Sequence, residues 1–185
     1  MSISRQTLTI VIVTFKSEKV IDNCIKSISD QIKIIIVDNS NDQKLKDSLE
    51  KKYQNVECIL SSSNLGMGSG NNLGLNNVKT EYALILNPDV ILRDNTISEI
   101  IKESKKIDSF AVLAPLSEDD KNPNYKIKKI DRKNINNPNP FKVESVDGFA
   151  MLLNLKKINQ IPDFQNKRYF DENFFMYLEN DDLCK

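Results

Sequence analysis

Apolar residues in this chain come in short unbroken blocks rather than in strict alternation. Residues 8–15 (LTIVIVTF), 33–37 (KIIIV), 56–60 (VECIL) and 82–86 (YALIL) are β-branched or aliphatic runs of strand length. Strands buried on both faces read this way, and they belong to parallel sheets. Between them the apolar positions recur at helical spacing. Val20, Ile21, Cys24, Ile25 and Ile28 predict an amphipathic helix, with Ser17 as its N-cap. A polar helix is predicted over 42–52, a short helix near 70–78, an amphipathic helix over 95–106 and a short strand over 110–113. This alternation predicts an α/β fold, a mostly parallel central sheet flanked by helices on both faces. Such sheets bind ligands beyond the carboxyl ends of their strands. Three segments end strands in that way: Thr14-Phe15, Asp38-Asn39-Ser40 and Asn87-Pro88-Asp89.

The pattern changes after residue 115. Residues 116–142 are polar, rich in Asn and Lys, and carry Pro123, Pro138 and Pro140. They read as a long flexible loop. Residues 144–154 (ESVDGFAMLLN) turn apolar again and are predicted to pair at the sheet edge. The last segment, from Tyr169, is aromatic and then acidic. No linker separates two cores, so residues 1–185 read as a single domain.

Composition narrows the chemistry. The chain has 26 basic and 26 acidic side chains, a formal net charge of zero. A chain that grips nucleic acid through phosphates carries a basic surplus, and none is present, so no nucleic-acid partner is expected. There is no histidine. That removes Ser-His and Cys-His nucleophiles and every histidine metal site, and leaves acid–base work to carboxylates. Cys24, Cys58 and Cys184 are odd in number and far apart, which fits a reduced compartment rather than a disulfide framework. No apolar stretch approaches the roughly 20 residues needed to cross a bilayer, and the N-terminus lacks the parts of a signal peptide. A cytoplasmic location is expected. The basic stretch Lys126, Lys128, Lys129, Arg132 and Lys133 offers a peripheral contact to anionic lipid at the inner membrane face, though a solvated loop is the simpler reading.

Four segments bear candidate chemistry. Four of the five glycines, Gly66, Gly68, Gly70 and Gly74, lie within NLGMGSGNNLG. A glycine-rich turn entering a helix presents free amides to an anion, or else merely joins strand to helix. The spacing is neither a dinucleotide fingerprint nor a Walker loop. Asp38, at a strand end, is either a turn former or an acceptor for a nucleobase imide. Asp89 in the Asn87-Pro88-Asp89 triplet is a candidate ligand for Mg²⁺ or Mn²⁺, which take one or two protein carboxylates plus phosphate oxygens. Glu179-Asn180-Asp181-Asp182 follows the apolar run FFMYL. A carboxylate in apolar company is driven toward the proton affinity a general base needs, whereas the simpler role is a solvated helix start.

In order and spacing, IVIVTFKSEKVIDNCIKSI, IIIVDNSN, NLGMGSGNNLG, LILNPDV, VDGFAMLLN and FDENFFMYLENDDLC resemble family 2 glycosyltransferases, over residues 8–184. The NLG…GNNLG segment and the NPD triplet are similar to the rhamnosyltransferase branch. The resemblance implies a GT-A fold and an inverting transferase of the hexosyltransferase class. It implies a nucleotide-sugar donor, dTDP-rhamnose or a UDP-hexose, and a glycan or lipid-linked acceptor in cell-surface polysaccharide synthesis. It maps base contacts to Thr14, Phe15 and Asp38, and donor contacts to Asn64 and Gly66. The metal triplet maps to Asn87-Pro88-Asp89, with Asn where the family has its first Asp, which leaves Asp89 as the metal ligand and Asn87 among the donor contacts. Asp147 and Gly148 map near the sugar and acceptor. The family's base lies in a Glu-Asp pair, but the second position here is Asn180. Glu179 or Asp181 then takes the role, with Asp182 in support. The family usually continues past this motif with helices over the acceptor site, so a domain lacking that C-terminal extension is expected.

Two rivals follow. Asn180 and the end at Lys185 fit a truncated or non-catalytic nucleotide-sugar-binding domain. A sugar-nucleotide pyrophosphorylase needs a glycine-rich basic loop after the first strand, and Thr14-Phe15-Lys16 has no glycine.

Overall fold

The computed structural model describes residues 3–117, 123–127, 139–164, 166 and 168–185. Its centre is a six-stranded sheet in the order β3-β2-β1-β4-β8-β5. The strands are β1 (Leu8–Thr14), β2 (Lys33–Asp38), β3 (Val56–Leu60), β4 (Tyr82–Leu86), β5 (Val112–Leu113) and β8 (Ala150–Asn154). A separate pair is formed by β6 (Tyr125–Lys126) and β7 (Ser145–Val146). β1, β2, β3 and β4 run parallel, while β8 is antiparallel to both β4 and β5.

The unbroken apolar blocks are explained by burial on two faces. Every residue of β1 and β4 is buried. Along β1, Leu8, Ile10 and Ile12 face one core, and Val11 faces the other. The first core is closed by α1 (Ile21–Lys26), α2 (Gln43–Lys52) and α4 (Thr96–Ser104) through Ile21, Cys24, Ile25, Leu45, Leu49, Ile97 and Ile100. The second is closed by α3 (Gly66–Asn76), α5 (Leu155–Ile158) and α6 (Glu179–Leu183) through Leu75, Leu155, Ile158 and Leu183. Among the described residues, no helix is long and apolar enough to cross a membrane.

Four expectations change. The segment 144–154 does not lie at the sheet edge: β8 is inserted between β4 and β5, because its side chains are apolar on both faces and need cover from both cores. Ser17 is not the cap of α1; the helix begins at Ile21, and Ser17 instead gives its carbonyl to the amides of Val20 and Ile21. The strand predicted over 110–113 shrinks to Val112–Leu113. The glycine-rich stretch is not a loop: α3 starts at Gly66 itself. Glycine is a poor helix former, but Gly70 and Gly74, four residues apart, let the helix lie against Val13 and Val11 of β1. A Cβ on Gly74 would sit 2.4 Å from Cγ1 of Val11. Close packing on the sheet outweighs propensity.

Of the loop predicted over 116–142, residues 118–122 and 128–138 lie outside the described residues, and with them Lys128, Lys129, Arg132 and Lys133. The described part is tied down. The side chain of Asn124 donates to the carbonyl of Pro115 and accepts from the amide of Ser117.

Candidate active site

The carboxyl ends of the parallel strands meet through a connected set of hydrogen bonds. After β1 the chain turns through Phe15, 47% exposed, and Lys16, whose φ of 53° is left-handed. The Lys16 amide donates to Oγ of Ser40 at 2.6 Å, joining the ends of β1 and β2. The Asn39 amide donates to the Thr14 carbonyl at 2.8 Å, and its side-chain Nδ2 donates to the Gly66 carbonyl at 3.0 Å, joining β2 to α3. Asp38 is fully buried. Its Oδ1 accepts from Oγ1 of Thr14 at 2.9 Å and its Oδ2 from the amide of Asp42 at 2.8 Å. It holds the turn into α2, and both its oxygens are engaged within the chain.

The start of α3 differs from an open anion site. Oδ1 of Asn64 accepts the Gly66 amide at 3.1 Å, and the carbonyl of Phe175 accepts the Met67 amide at 2.8 Å. These first amides, which an anion would need, are satisfied from within the chain. Gly66 has a φ of 75°, and a Cβ there would lie 2.2 Å from the Phe175 carbonyl oxygen, so only glycine admits this contact.

At the end of β4, the Asn87 amide donates to the Phe149 carbonyl at 2.9 Å, which brings the Asn87-Pro88-Asp89 turn beside Asp147 and Gly148. α1 supports the same turn from behind, through Sγ of Cys24 on the Asn87 carbonyl and Oγ of Ser27 on the Leu92 amide. Burial and the Asp89 charge push the Cys24 thiol up to about 12, so it is an inert packing group. Asp89 and Asp147 are exposed, and Oδ1 of Asn87 is buried without a partner. Among the described residues, no group of three His, Cys, Asp or Glu side chains converges as a complete metal cage. An exposed aspartate and an unpartnered amide oxygen two residues apart fit a cation that takes its remaining ligands from phosphate and water.

The acidic cluster divides into four different environments. Asn180 packs against Gly148, its Cβ 3.6 Å from where a glycine Cβ would stand, and its Nδ2 donates to the Val146 carbonyl at 2.7 Å. Asp181 binds Nζ of Lys126 and accepts from Oγ of Ser145 at 2.6 Å. The Lys126 ammonium, then the Ser145 hydroxyl, hold its carboxyl below the ordinary value, opposite to the rise expected from the apolar flank. Asp181 is therefore a latch between α6 and the β6–β7 pair, and a poor base. Asp182 is exposed and lines a cavity of about 850 Å³ with Arg168, Tyr169 and Lys185, over the second core. Glu179 is buried, and its Oε2 has no hydrogen-bond partner.

Asn72 is a residue that motif reading passed over. Its Oδ1 accepts the amides of Tyr169 and Phe170, and its Nδ2 donates to the Phe170 carbonyl, so it pins the segment ahead of the acidic cluster to α3. Its signal in the sequence was only a buried polar position in an apolar-facing helix.

A parallel sheet with a β8-type antiparallel insertion, and acidic residues gathered at its carboxyl edge, define the GT-A architecture of nucleotide-sugar transferases. The fold is shared with the mannosyltransferase PcManGT from Pyrobaculum calidifontis, solved with GDP-Man and Mn²⁺ (TM-score 0.67, 9% identity, 96% of this chain and 50% of that one). It is shared also with S. aureus TarS 1-349 (TM-score 0.65, 17% identity, 96% and 54%). The chain belongs to glycosyl transferase family 2, whose model matches residues 9–178. It is similar to the low-salt glycan biosynthesis hexosyltransferase Agl10 of Haloferax volcanii, at 26% identity over 96% of this chain and 60% of that protein. It is also similar to the rhamnosyltransferase WbbL of Escherichia coli, at 27% identity over 95% of this chain and 74% of that protein.

Proposed function

We propose that this chain carries the donor site and the base of an inverting glycosyltransferase. It transfers rhamnose or a hexose from a dTDP- or UDP-sugar to a glycan or lipid-linked acceptor in cell-surface polysaccharide synthesis, at the cytoplasmic side. The observation that carries this reading is the set of hydrogen bonds at one end of the sheet that tie Thr14 to Asp38, Asn39 to Thr14 and Gly66, Asn64 to Gly66, and Asn87 to Phe149 next to Gly148, with exposed Phe15, Asp89 and Asp147 on the same turns. Phe15 and Lys16 flank the nucleoside, above the buried Asp38. Asp89, with Oδ1 of Asn87, would hold Mg²⁺ or Mn²⁺, which when bound would supply charge neutralisation to the diphosphate leaving group. Glu179 has a buried oxygen, Oε2, without a hydrogen-bond partner, and it takes the proton of the acceptor hydroxyl. The hydroxyl oxygen bonds to the anomeric carbon as the bond from that carbon to the diphosphate breaks, so configuration inverts. Asp181, fixed by Lys126 and Ser145, orients α6 for this step.

The test begins with melting curves in UDP, dTDP and GDP, each with Mn²⁺ or EDTA, because a ligand of the folded state raises the Tm by mass action. Asp89→Asn removes the Mn²⁺ dependence. Glu179→Gln leaves the nucleotide shift intact and lowers kcat by about 10²-fold or more, the usual worth of a general base. A product of retained anomeric configuration, or flat melting curves in both UDP and dTDP, overturns the proposal. A second reading, a nucleotide-sugar-binding domain without turnover, is favoured by Asn180, an amide in the position facing Gly148. Under that reading Asn180→Asp creates transfer where the natural chain has none, and Glu179→Gln changes nothing.

A further inference from the structure

Residues 175–178 form an exposed apolar run among the described residues. Phe175, Met176, Tyr177 and Leu178 are four consecutive large apolar side chains, 53%, 49%, 76% and 56% exposed. A run like this normally folds inward. Its backbone prevents that: Tyr177 and Leu178 both have left-handed φ values, 69° and 70°. Non-glycine residues adopt this region at a cost, and two in succession are held only where the surroundings dictate it.

The run is fixed at both ends. At one, the Phe175 carbonyl caps Met67 of α3 over the bare Gly66. At the other, the Leu178 carbonyl accepts the Asp182 amide at 2.9 Å, and Asn180 and Asp181 anchor α6 to β7. The run thus bridges the donor-side helix and the helix that bears Glu179.

We propose that Tyr177 and Phe175 form a stacking platform for a neutral pyranose ring of the acceptor, placed immediately before the base; this rests on the glycosyl-transfer reading above. A pyranose has an apolar C–H face for an aromatic ring and a hydroxyl rim for polar groups, and an exposed tyrosine offers both an apolar body and a polar tip. The charge around the run selects this occupant. Asp171 and Glu172 are exposed on its N-terminal side and Asp182 on its C-terminal side, beside exposed Arg168 and Lys185, while Glu179 is buried and Asp181 and Lys126 neutralise each other. Such a near-balanced surface offers no basic cluster to anionic lipid headgroups and suits uncharged hydroxyls.

Saturation-transfer NMR tests this with methyl glycosides of glucose, mannose, rhamnose and N-acetylglucosamine, in the presence of UDP and Mg²⁺. The natural chain is expected to saturate ring C–H protons of one face of at least one of these probes. Tyr177→Phe retains the contact. Tyr177→Ala weakens it about ten-fold, near the upper end of what an aromatic contact contributes. Tyr177→Gly also loses it, although its Tm is not lowered, because glycine accepts the left-handed backbone. The UDP-induced Tm shift is the same in all four proteins. Unchanged saturation in Tyr177→Ala overturns the platform. So does the absence of saturation on every glycoside while UDP still binds, or Tyr177-dependent sedimentation with phosphatidylglycerol vesicles. Failure of UDP and dTDP to shift the natural chain's Tm instead removes the underlying transferase reading, and is read independently of the sugar contact.

Discussion

The two halves of the sheet's carboxyl edge are built by different means. On the side of β1, β2 and β4, the strands reach the edge through continuous parallel ladders, and every residue of β1 and β4 is buried. On the side of α6, position rests on single side chains: Asn72 on Tyr169 and Phe170, Asn180 on Val146, Asp181 on Lys126 and Ser145. A ladder shares its strain over many bonds, while a latch fails with one substitution. The first side is thereby a rigid mould, and the second is adjustable one residue at a time.

The comparison breaks most visibly in the core. Ile36→Ala, at a fully buried position of β2, is expected to cost about 3–4 kcal/mol and to lower the whole denaturant curve as one transition. Asn72→Ala is expected to cost about 2–3 kcal/mol, because two amides and a carbonyl lose their buried partner. Its loss is local: hydrogen exchange should quicken at Tyr169 and Phe170 while β1 and β2 keep their protection. Equal quickening in β1 would contradict the division drawn here. Gly66→Ala follows at about 2 kcal/mol, since the new methyl meets the Phe175 carbonyl in a left-handed backbone. Fluorinated phenylalanine at position 175 would report its detachment.

The smallest effect is the most specific. The carboxyl of Asp181 is depressed in the folded chain, first by Lys126 and then by Ser145, from an ordinary 3.8. Its contribution to stability is therefore present above the unfolded value and lost as pH falls through the folded one. Asp181→Asn should lower the Tm slightly at pH 7, and the gap to the natural chain should begin to narrow as pH falls below about 4. A gap that does not narrow at all below that pH would assign the latch to packing rather than charge.

These differences also explain what could be read from the sequence. The spans of β3 and β4 agree with the apolar blocks, and β1 and β2 differ by one residue at an end. Burial on two faces writes itself as an unbroken run. The glycine-rich stretch misled because glycine signals a turn as well as it signals close helix packing; only the β1 valines beneath Gly70 and Gly74 distinguish the two. The latches left no periodic trace. Asp181 was weighed as a base, yet the lysine that occupies it lies 55 residues earlier in a polar stretch that pattern alone leaves unstructured. Asp38 was legible as a strand-end carboxylate, but not the fact that Thr14 and Asp42 engage both its oxygens.

Asn72 and the first turn of α3 have a consequence for synthesis on the ribosome. Asn72 bonds to residues 97 and 98 positions later, and the Met67 amide waits for the carbonyl of Phe175. When β1, α1, β2, α2 and β3 have left the exit tunnel, α3 can lie on the sheet, but its start remains uncapped and Asn72 unpaired. The nascent chain therefore carries an unfinished seam along that helix until the aromatic segment emerges. Contacts of such long sequence separation form late and govern folding speed. Translation pausing before residue 169 should hold the protein in that half-closed form.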